Sequence, residues 1–392
     1  LETRTIGYKR RIRGCGCSNF QDEMAKNNLK TEGKNNILIV GAGPSGLALA
    51  LFLSEKGVRP RIIEKNDMIS QYSKALGVNP RTLELLEESG LANRFLEKGR
   101  QMRKINIWKM NEHIFQNDLS HINHKYPFML ILPQKESEQI LLEALSDRNI
   151  KVEFGISFKS LDLEKNHPYV ILRNSTGILE SGEVDLLIGA DGARSEVRKQ
   201  CGIKLKGFQY EGEWELLDVE LDSPLARDEG HVRLFREGGM IMIRLKDNIW
   251  RVAGNMKSML NYLPKHCRIG EIVWKSNFRI SHRVAGELVK NKVVIIGDAA
   301  HLHSPVGARG MNLGIEDAYI VSNLIAEGKT AEYTKIRKAY LNKTVKRING
   351  MTQGLAGGSF LSRSLRTNIN LFKFVFPLVM PTARKFIMGL HK

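Results

Sequence analysis

Hydrophobic spacing along the chain changes several times, and each change predicts an element. Ile37-Leu38-Ile39-Val40 is a short unbroken apolar run, the pattern of a strand buried on both faces. A glycine turn follows, the apolar run Leu47 to Leu53 predicts a helix ended by Gly57, and Arg61-Ile62-Ile63-Glu64 predicts the next strand. Together these occupy about 30 residues, the size of a βαβ unit. Asn79-Pro80 predicts another helix start, with Asn as N-cap and Pro in the first turn, and Leu83, Leu86 and Phe95 follow at helical spacing. Residues 104–133 alternate as strands do, Ser137 to Ser146 reads as a helix, and Lys151 to Leu172 reads as a hairpin region.

Asp185 to Ile188 predicts a further buried strand, running into Gly189-Ala190-Asp191-Gly192. From 205 to 284 the pattern is strand-rich, with Val232 to Phe235 and Met240 to Ile243 on either side of Gly238-Gly239. The apolar run from Val293 stops at Gly297-Asp298, and helical periodicity returns after 310 and continues to the end. No internal repeat is visible. The fold class is therefore expected to be α/β: a Rossmann-like dinucleotide-binding domain interleaved with a β-rich domain, then a C-terminal helical segment. The expected divisions are a disordered leader over residues 1–34, the nucleotide domain over 35–107, 134–204 and 285–330, and β-rich segments over 108–133 and 205–284. Residues 331–392 are expected to be the C-terminal helices.

At 392 residues the chain is long for one core, which agrees with an interleaved architecture. The leader is polar and basic and lacks the apolar core of a signal peptide; within it Met24 marks a more usual start. No apolar run reaches the roughly 18 residues of a membrane-spanning helix. Cys15, Cys17, Cys201 and Cys267 are too few and scattered for a disulfide framework, and Cys15-Gly-Cys17 lacks zinc-knuckle spacing. A cytoplasmic setting without a metal site is expected. The net charge of +18 is spread along the chain instead of gathered in a tract with interleaved aromatics. It suits anionic cofactors and gives no reason to expect a nucleic-acid partner.

Gly41-Ala42-Gly43-Pro44-Ser45-Gly46 is a G-x-G-x-x-G turn between a strand and a helix. The first glycine allows the tight turn, the second admits a pyrophosphate to the backbone, and the third permits close helix–strand packing. The phosphates would rest on the helix N-terminus, and Glu64 ends the next strand where a carboxylate can accept ribose hydroxyls. NAD and FAD both satisfy this fingerprint. Two more strand-end sites follow, Gly189-Ala190-Asp191-Gly192-Ala193-Arg194-Ser195 and Gly297-Asp298. The first, taken alone, also reads as an ordinary helix turn with Asp as N-cap. Three strand ends converge on one ligand only if it is long, which favours FAD.

The ordered motifs GAGPSG, GADGARS and GDAAHLHSPVGARGMNLGIEDA resemble those of the group A FAD-dependent monooxygenases, the fold family of para-hydroxybenzoate hydroxylase and the phenol hydroxylases. The resemblance covers residues 36 to about 325. It implies that Asp191 serves FAD and NAD(P)H and that Asp298 binds the ribitol or ribose region of FAD. It also brings in Lys65 and Gly192, Lys74, where relatives usually carry Arg, and Gln134 as a ribityl contact. Main-chain amides of a glycine loop are expected to meet the reduced flavin's negative charge, with Pro305, Gly307, Gly310, Met311 and Asn312 supplying that surface. Relatives often read Gly-Gly-Gln-Gly at Gly307-Ala308-Arg309-Gly310, so Arg309 is left either to pair with FAD phosphate or to face solvent. His301 and His303 are expected to hold the loop by hydrogen bonds.

The implied reaction begins with reduction of FAD by NADPH or NADH. O₂ then adds at flavin C4a, and the hydroperoxide passes one oxygen atom to an aromatic, phenolic or polyketide-like substrate in a dry pocket. Only one G-x-G-x-x-G is present, so NAD(P)H is expected near Asp191 and Asp298. No catalytic side chain is assigned; His231 and Tyr210 are candidates for a proton relay. Trp214, Phe235, Met240, Met242 and Trp250 are candidates for the substrate wall, or for plain core. The C-terminal stretch Asn368 to His391 is expected to pack back on the FAD domain, with peripheral membrane contact as the other reading. A geranylgeranyl-reductase-like enzyme without oxygen insertion is the alternative. A halogenase would carry a W-x-W-x-I-P motif, which this chain lacks.

Overall fold

The computed structural model describes residues 36–71, 75–357, 359–369 and 376–391; the expected leader and Lys74 lie outside these. Ile37–Val40 is a buried strand inside a six-stranded sheet. The order is Val289–Lys290, Val293–Ile295, Leu186–Gly189, Ile37–Val40, Arg61–Glu64, Val152–Phe154. The last five strands run parallel, and Val289–Lys290 closes one edge antiparallel. Parallel strands inside a sheet are covered on both faces, which is why Ile37–Val40, Leu186–Gly189 and Val293–Ile295 carry no polar side chain. The helix Pro44–Glu55 buries Gly46 through Leu53, and it meets the helix Gly310–Ala326 through Phe52 and Tyr319, whose rings lie edge to face at 5.4 Å.

The second sheet has seven strands, in the order Arg268–Phe278, Trp214–Asp222, Ile249–Gly254, Gly239–Lys246, Glu229–Leu234, Lys104–Lys109, Glu112–Asp118. All neighbours are antiparallel except Glu229–Leu234 with Lys104–Lys109. Its two faces differ by the period-2 alternation of strands. Met240, Met242, Trp250 and Val252 join Leu217 and Val219 in a core on one face. Ile241, Ile243 and Ala253 line a cavity on the other. Of the five wall candidates, Trp214 therefore lines the cavity, whereas Phe235, Met240, Met242 and Trp250 are core.

The helix Tyr333–Ala356 links the two sheets. Near its start Thr334 Oγ1 accepts from the amides of Leu288 and Val289 at the parallel sheet, and near its end Leu355 packs over Gly239. The helix Phe376–Ile387 then lays Met380, Ala383 and Ile387 on the cavity. This segment was expected to pack on the nucleotide domain; its end does so, with Gly389 against Asn79, Arg81 and Arg309 and Phe386 under the Arg309 guanidinium, while Met380, Ala383 and Ile387 also cover the cavity under the seven-stranded sheet.

Candidate functional site

Three motif-bearing turns leave neighbouring parallel strands at the same, carboxyl-terminal edge. Gly41 follows Val40, Ala190 follows Gly189, and Gly297-Asp298 follows the strand Val293–Ile295; Glu64 ends the next strand over. Neighbouring strands lie only about 4.8 Å apart, so parallel topology alone gathers motifs more than 250 residues apart in sequence.

The glycine turn is divided between packing and opening. A Cβ on Gly41 would lie 2.5 Å from the Ala190 carbonyl oxygen, and one on Gly46 would lie 2.0 Å from the Gly41 carbonyl oxygen. A Cβ on Gly43 would meet nothing within 4 Å. Gly43 opens onto a cleft of about 490 Å³ and, with Pro44 and Ser45, forms one wall of it. Gln134, Gly192 and Asp298 form a second wall, and Pro305, Gly310 and Met311 a third. An open Gly43 beside a helix N-terminus fits a pyrophosphate, because backbone amides are exposed where a side chain would obstruct.

Glu64, Lys65 and Asp191 are not part of that wall. Glu64 Oε2 accepts from the Ala42 amide at 3.0 Å and Oε1 from the Asn66 amide at 3.1 Å, tying the second strand to the glycine turn. Asp191 Oδ2 accepts from the amides of Glu196 at 2.7 Å and Val197 at 3.2 Å, the helix-turn role that its motif alone also allows. Burial pushes the Asp191 carboxyl upward, and its Oδ1 is buried without a hydrogen-bond partner among the described residues.

The three downstream glycines have different tasks. Gly307, at φ 84°, makes a turn that faces the apolar cavity. Gly310 begins the Gly310–Ala326 helix and faces the cleft. Gly314 lies inside that helix, where a Cβ would come 2.2 Å from Ser45 Oγ. It is a packing glycine that brings the helix onto the first turn of Pro44–Glu55. The helix's first backbone bond runs from Leu313 N to Arg309 O, leaving the amides of Gly310, Met311 and Asn312 directed out of its N-terminus. The Asn312 side chain turns away from the cleft: Oδ1 accepts from the Asn79 amide and Thr82 hydroxyl, and Nδ2 donates to Gly77 O.

Arg309 neither faces solvent nor reaches the cleft. It is buried, and Nη2 donates to Glu316 Oε1 at 3.1 Å and to the Tyr340 hydroxyl at 3.2 Å. Glu316 also binds Arg337, which donates to Asp317 Oδ1 at 2.7 Å; Asp317 Oδ2 bonds His301 Nε2 at 2.7 Å and accepts from the Gly297 amide. Burial opposes ionisation of Asp317, but the charges of His301 and Arg337 outweigh it and hold its carboxyl down to about 2. This chain of polar contacts anchors the loop from Gly297 to Arg309 on two helices. His303 faces the cleft, with Nδ1 bonded to Ser304 O at 2.8 Å, and burial pushes it down to about 3.

Under the seven-stranded sheet lies an apolar cavity of about 420 Å³. It shares Leu76, Gly77, Pro305 and Ala308 with the cleft. His231, Val232 and Leu234 all lie along its lining, and the His231 ring sits beside Trp108 and Trp250, with 6.4 and 6.1 Å between centroids. Burial pushes His231 below its usual range. Tyr210 lines a separate pocket and donates to Asn349 Oδ1. Sequence reasoning missed Ala75 to Gly77, Phe278, Arg279 and Ser281 in the cleft wall, and Arg251 and Arg366 in the cavity wall. Ala75 to Gly77 directly follow Lys74, whereas the others belong to no local motif and are brought there by tertiary packing.

A family model described as FAD binding domain matches residues 34–253 and 256–349. The chain is 30% identical over 376 residues to 6-methylpretetramide 4-monooxygenase of Streptomyces rimosus, a match covering 91% of this chain and 66% of that protein. It is 32% identical over 309 residues to pentachlorophenol 4-monooxygenase of Sphingobium chlorophenolicum, covering 72% and 56% respectively. The chain thus spans less than two thirds of either relative's length. Among solved structures, p-nitrophenol 4-monooxygenase from Pseudomonas putida shares the fold at TM-score 0.77 and 19% identity, over 91% of this chain and 99% of that one. Anhydrotetracycline hydroxylase from Streptomyces rimosus does so at TM-score 0.76 and 23% identity, over 91% and 76%.

Proposed function

The chain belongs to the FAD binding domain family, and from that premise we propose that it is an FAD-dependent, NAD(P)H-using monooxygenase. It inserts one oxygen atom from O₂ into an aromatic substrate of phenolic or polyketide-like character. The observation that carries this reading is the shared wall: a glycine-lined cleft and an apolar cavity meet at Leu76, Gly77, Pro305 and Ala308. The monooxygenase activities of these relatives support oxygen insertion as well.

Bound FAD would supply hydride acceptance and dioxygen activation, chemistry that side chains lack. Gly43, Pro44 and Ser45 would take its pyrophosphate on the Pro44–Glu55 helix N-terminus, with Gln134 and Asp298 toward its ribityl and ribose hydroxyls. The amides at the Gly310–Ala326 N-terminus would stabilise negative charge on the ring, an effect of about 0.3–2 kcal/mol. His303, kept neutral, adds no positive charge of its own to that wall. NAD(P)H would dock from the side of Gly192 and Asp298. On the substrate side, Ile241, Ile243, Leu234 and Met351 exclude water, which protects a reactive oxygen from wasteful breakdown.

The test is purified protein reconstituted with FAD and supplied with NAD(P)H, ¹⁸O₂ and a panel of fused-ring phenols. The expected result is substrate-stimulated NAD(P)H oxidation with a product gaining one ¹⁸O atom. Turnover without labelled product across the panel, or failure to retain FAD, overturns the reading.

A further inference from the structure

Two arginines line the apolar cavity, and they differ in what neutralises them. Arg251 is held by Asp218 in a two-pronged pair, Nε to Oδ1 at 2.7 Å and Nη2 to Oδ2 at 2.7 Å. That pair enters the wall with no net charge. Arg366 is 2% exposed, and its three bonds all go to neutral acceptors. Nε donates to Phe235 O at 3.0 Å, Nη1 to Gly357 O at 2.9 Å and Nη2 to Arg236 O at 3.1 Å.

A guanidinium carries five N–H donors in a planar fork and keeps its charge in proteins. Three are used here, leaving one on each terminal nitrogen. Among the described residues no carboxylate lies within ion-pair distance of Arg366. Burial and the like charge of Arg363 weigh against its ionised form, with only Glu237 favouring it. A buried cation without a counter-ion is strongly unfavourable unless something else supplies the negative charge. The carbonyl bonds account for the orientation of the fork and leave its charge opposed only by the more distant Glu237. Around it the wall is apolar: Trp214, Leu355, Val306 and Ile369 form one hydrophobic cluster beside the cavity.

We propose that Arg366 is the recognition point for an oxygen anion on the substrate, a carboxylate or an ionised acidic enol or phenol, whose rings fill the apolar remainder of the cavity. This rests on the cavity's being the substrate site of the proposed monooxygenase. An oxyanion would complete the hydrogen bonding of the fork and neutralise the charge, while Arg251, already satisfied by Asp218, would not compete for it. The anion would also fix which end of the rings points toward Pro305 to Ala308.

The test compares matched anionic and neutral ligands on the FAD-reconstituted protein: 3-hydroxy-2-naphthoate against its methyl ester, and 1-nitro-2-naphthol against its methyl ether. Affinity is read without turnover, from quenching of Trp fluorescence and perturbation of the flavin absorbance. The expected result is that at least one anion binds about tenfold or more tightly than its neutral partner. Arg366→Met should abolish that preference while retaining the neutral ligand's affinity, and Arg366→Lys should keep part of it. The two pairs separate carboxylate from ionised-phenol recognition. Equal binding within both pairs, no binding of any ligand, or a preference unchanged in a folded variant overturns the proposal. Should Arg366→Met fail to fold, the wild-type comparison and Arg366→Lys decide it. Because the readout is binding, it stands apart from the ¹⁸O₂ experiment: labelled product with no anion preference sinks only Arg366's role, and anion-selective binding without labelled product sinks only the oxygen insertion.

Discussion

At the carboxyl edge of the parallel sheet the cleft is walled largely by main chain, glycine and small residues, whereas the neighbouring cavity is walled by alternate side chains of an antiparallel sheet. A ligand met by backbone amides is recognised through groups that every sequence possesses, so discrimination rests on where side chains are absent. A ligand met by Ile241, Ile243, Leu216 and Ala253 is recognised through the side chains themselves. The first surface tolerates little change; the second can be retuned one position at a time. This division suits a constant cofactor beside a variable substrate.

The largest effect should come from filling the space that a glycine leaves. Gly46→Ala places a methyl 2.0 Å from the Gly41 carbonyl oxygen, backbone against backbone, so neither partner can rotate away. The expected loss is about 3 kcal/mol or more, with no flavin retained. Gly43→Ala meets open space instead. The apo-protein should keep its thermal midpoint while FAD affinity falls by about tenfold or more. Thermal unfolding with and without FAD checks both; equal destabilisation by the two substitutions would erase the distinction between packing and opening.

The two regions also differ in how carboxylates are compensated. Beside the cavity, Asp218 has the Arg251 fork. Behind the cleft, buried Glu138 accepts from Gln134 Nε2 at 2.7 Å, and burial pushes its carboxyl up to about 7, helped by the nearby charge of Glu64. The usual value is 4.5, so on raising the pH the unfolded chain releases this proton first. Stability is therefore lost between about pH 4.5 and 7 and stays lower above that window. Glu138→Gln keeps the shape and removes the titration. It should be close to neutral at pH 4 and stabilising by roughly 2 kcal/mol at pH 8. Urea unfolding at the two pH values reads this directly, and a difference independent of pH would rule it out.

Much of the cleft was legible because its residues are local signals: a glycine turn between a strand and a helix, or a Gly-Asp pair at a strand end. Parallel topology then does the gathering. The cavity was less legible, since knowing that Met240 to Ile243 is a strand does not say which parity faces inward. Met240 and Met242 proved to share the core face with Trp250, and that choice is set by how the sheet docks on the Pro305–Ala308 loop. Arg309 shows a different limit. Flanked by glycines in a loop, it reads as exposed or phosphate-binding, yet its partners are Glu316, two helical turns on, and Tyr340 from the next helix. Arg366 carried no signal at all, because the carbonyls of Phe235 and Arg236 that hold it lie some 130 residues away.

The smallest expected effect tests the wall where the two regions meet. Ala308 has φ 50°, the left-handed region, which costs a residue with a Cβ about 1 kcal/mol. Glycine there relieves that strain but adds unfolded-state freedom worth roughly 0.4–1 kcal/mol. Ala308→Gly should therefore change stability by no more than about 0.5 kcal/mol, a shift of about 1–2 °C. The reason to keep a strained alanine is its methyl, which lies over Gly77; a Cβ on Gly77 would come within 2.8 Å of it. That methyl narrows the passage between cleft and cavity. Removing it should leave FAD affinity intact while lowering the fraction of NAD(P)H oxidation that ends in oxygenated product, because water gains access where the wall was closed. Coupling measured as product formed per NAD(P)H consumed checks this. Unchanged coupling would mean that the shared wall is sealed elsewhere and that the cleft and cavity are more independent than their common residues imply.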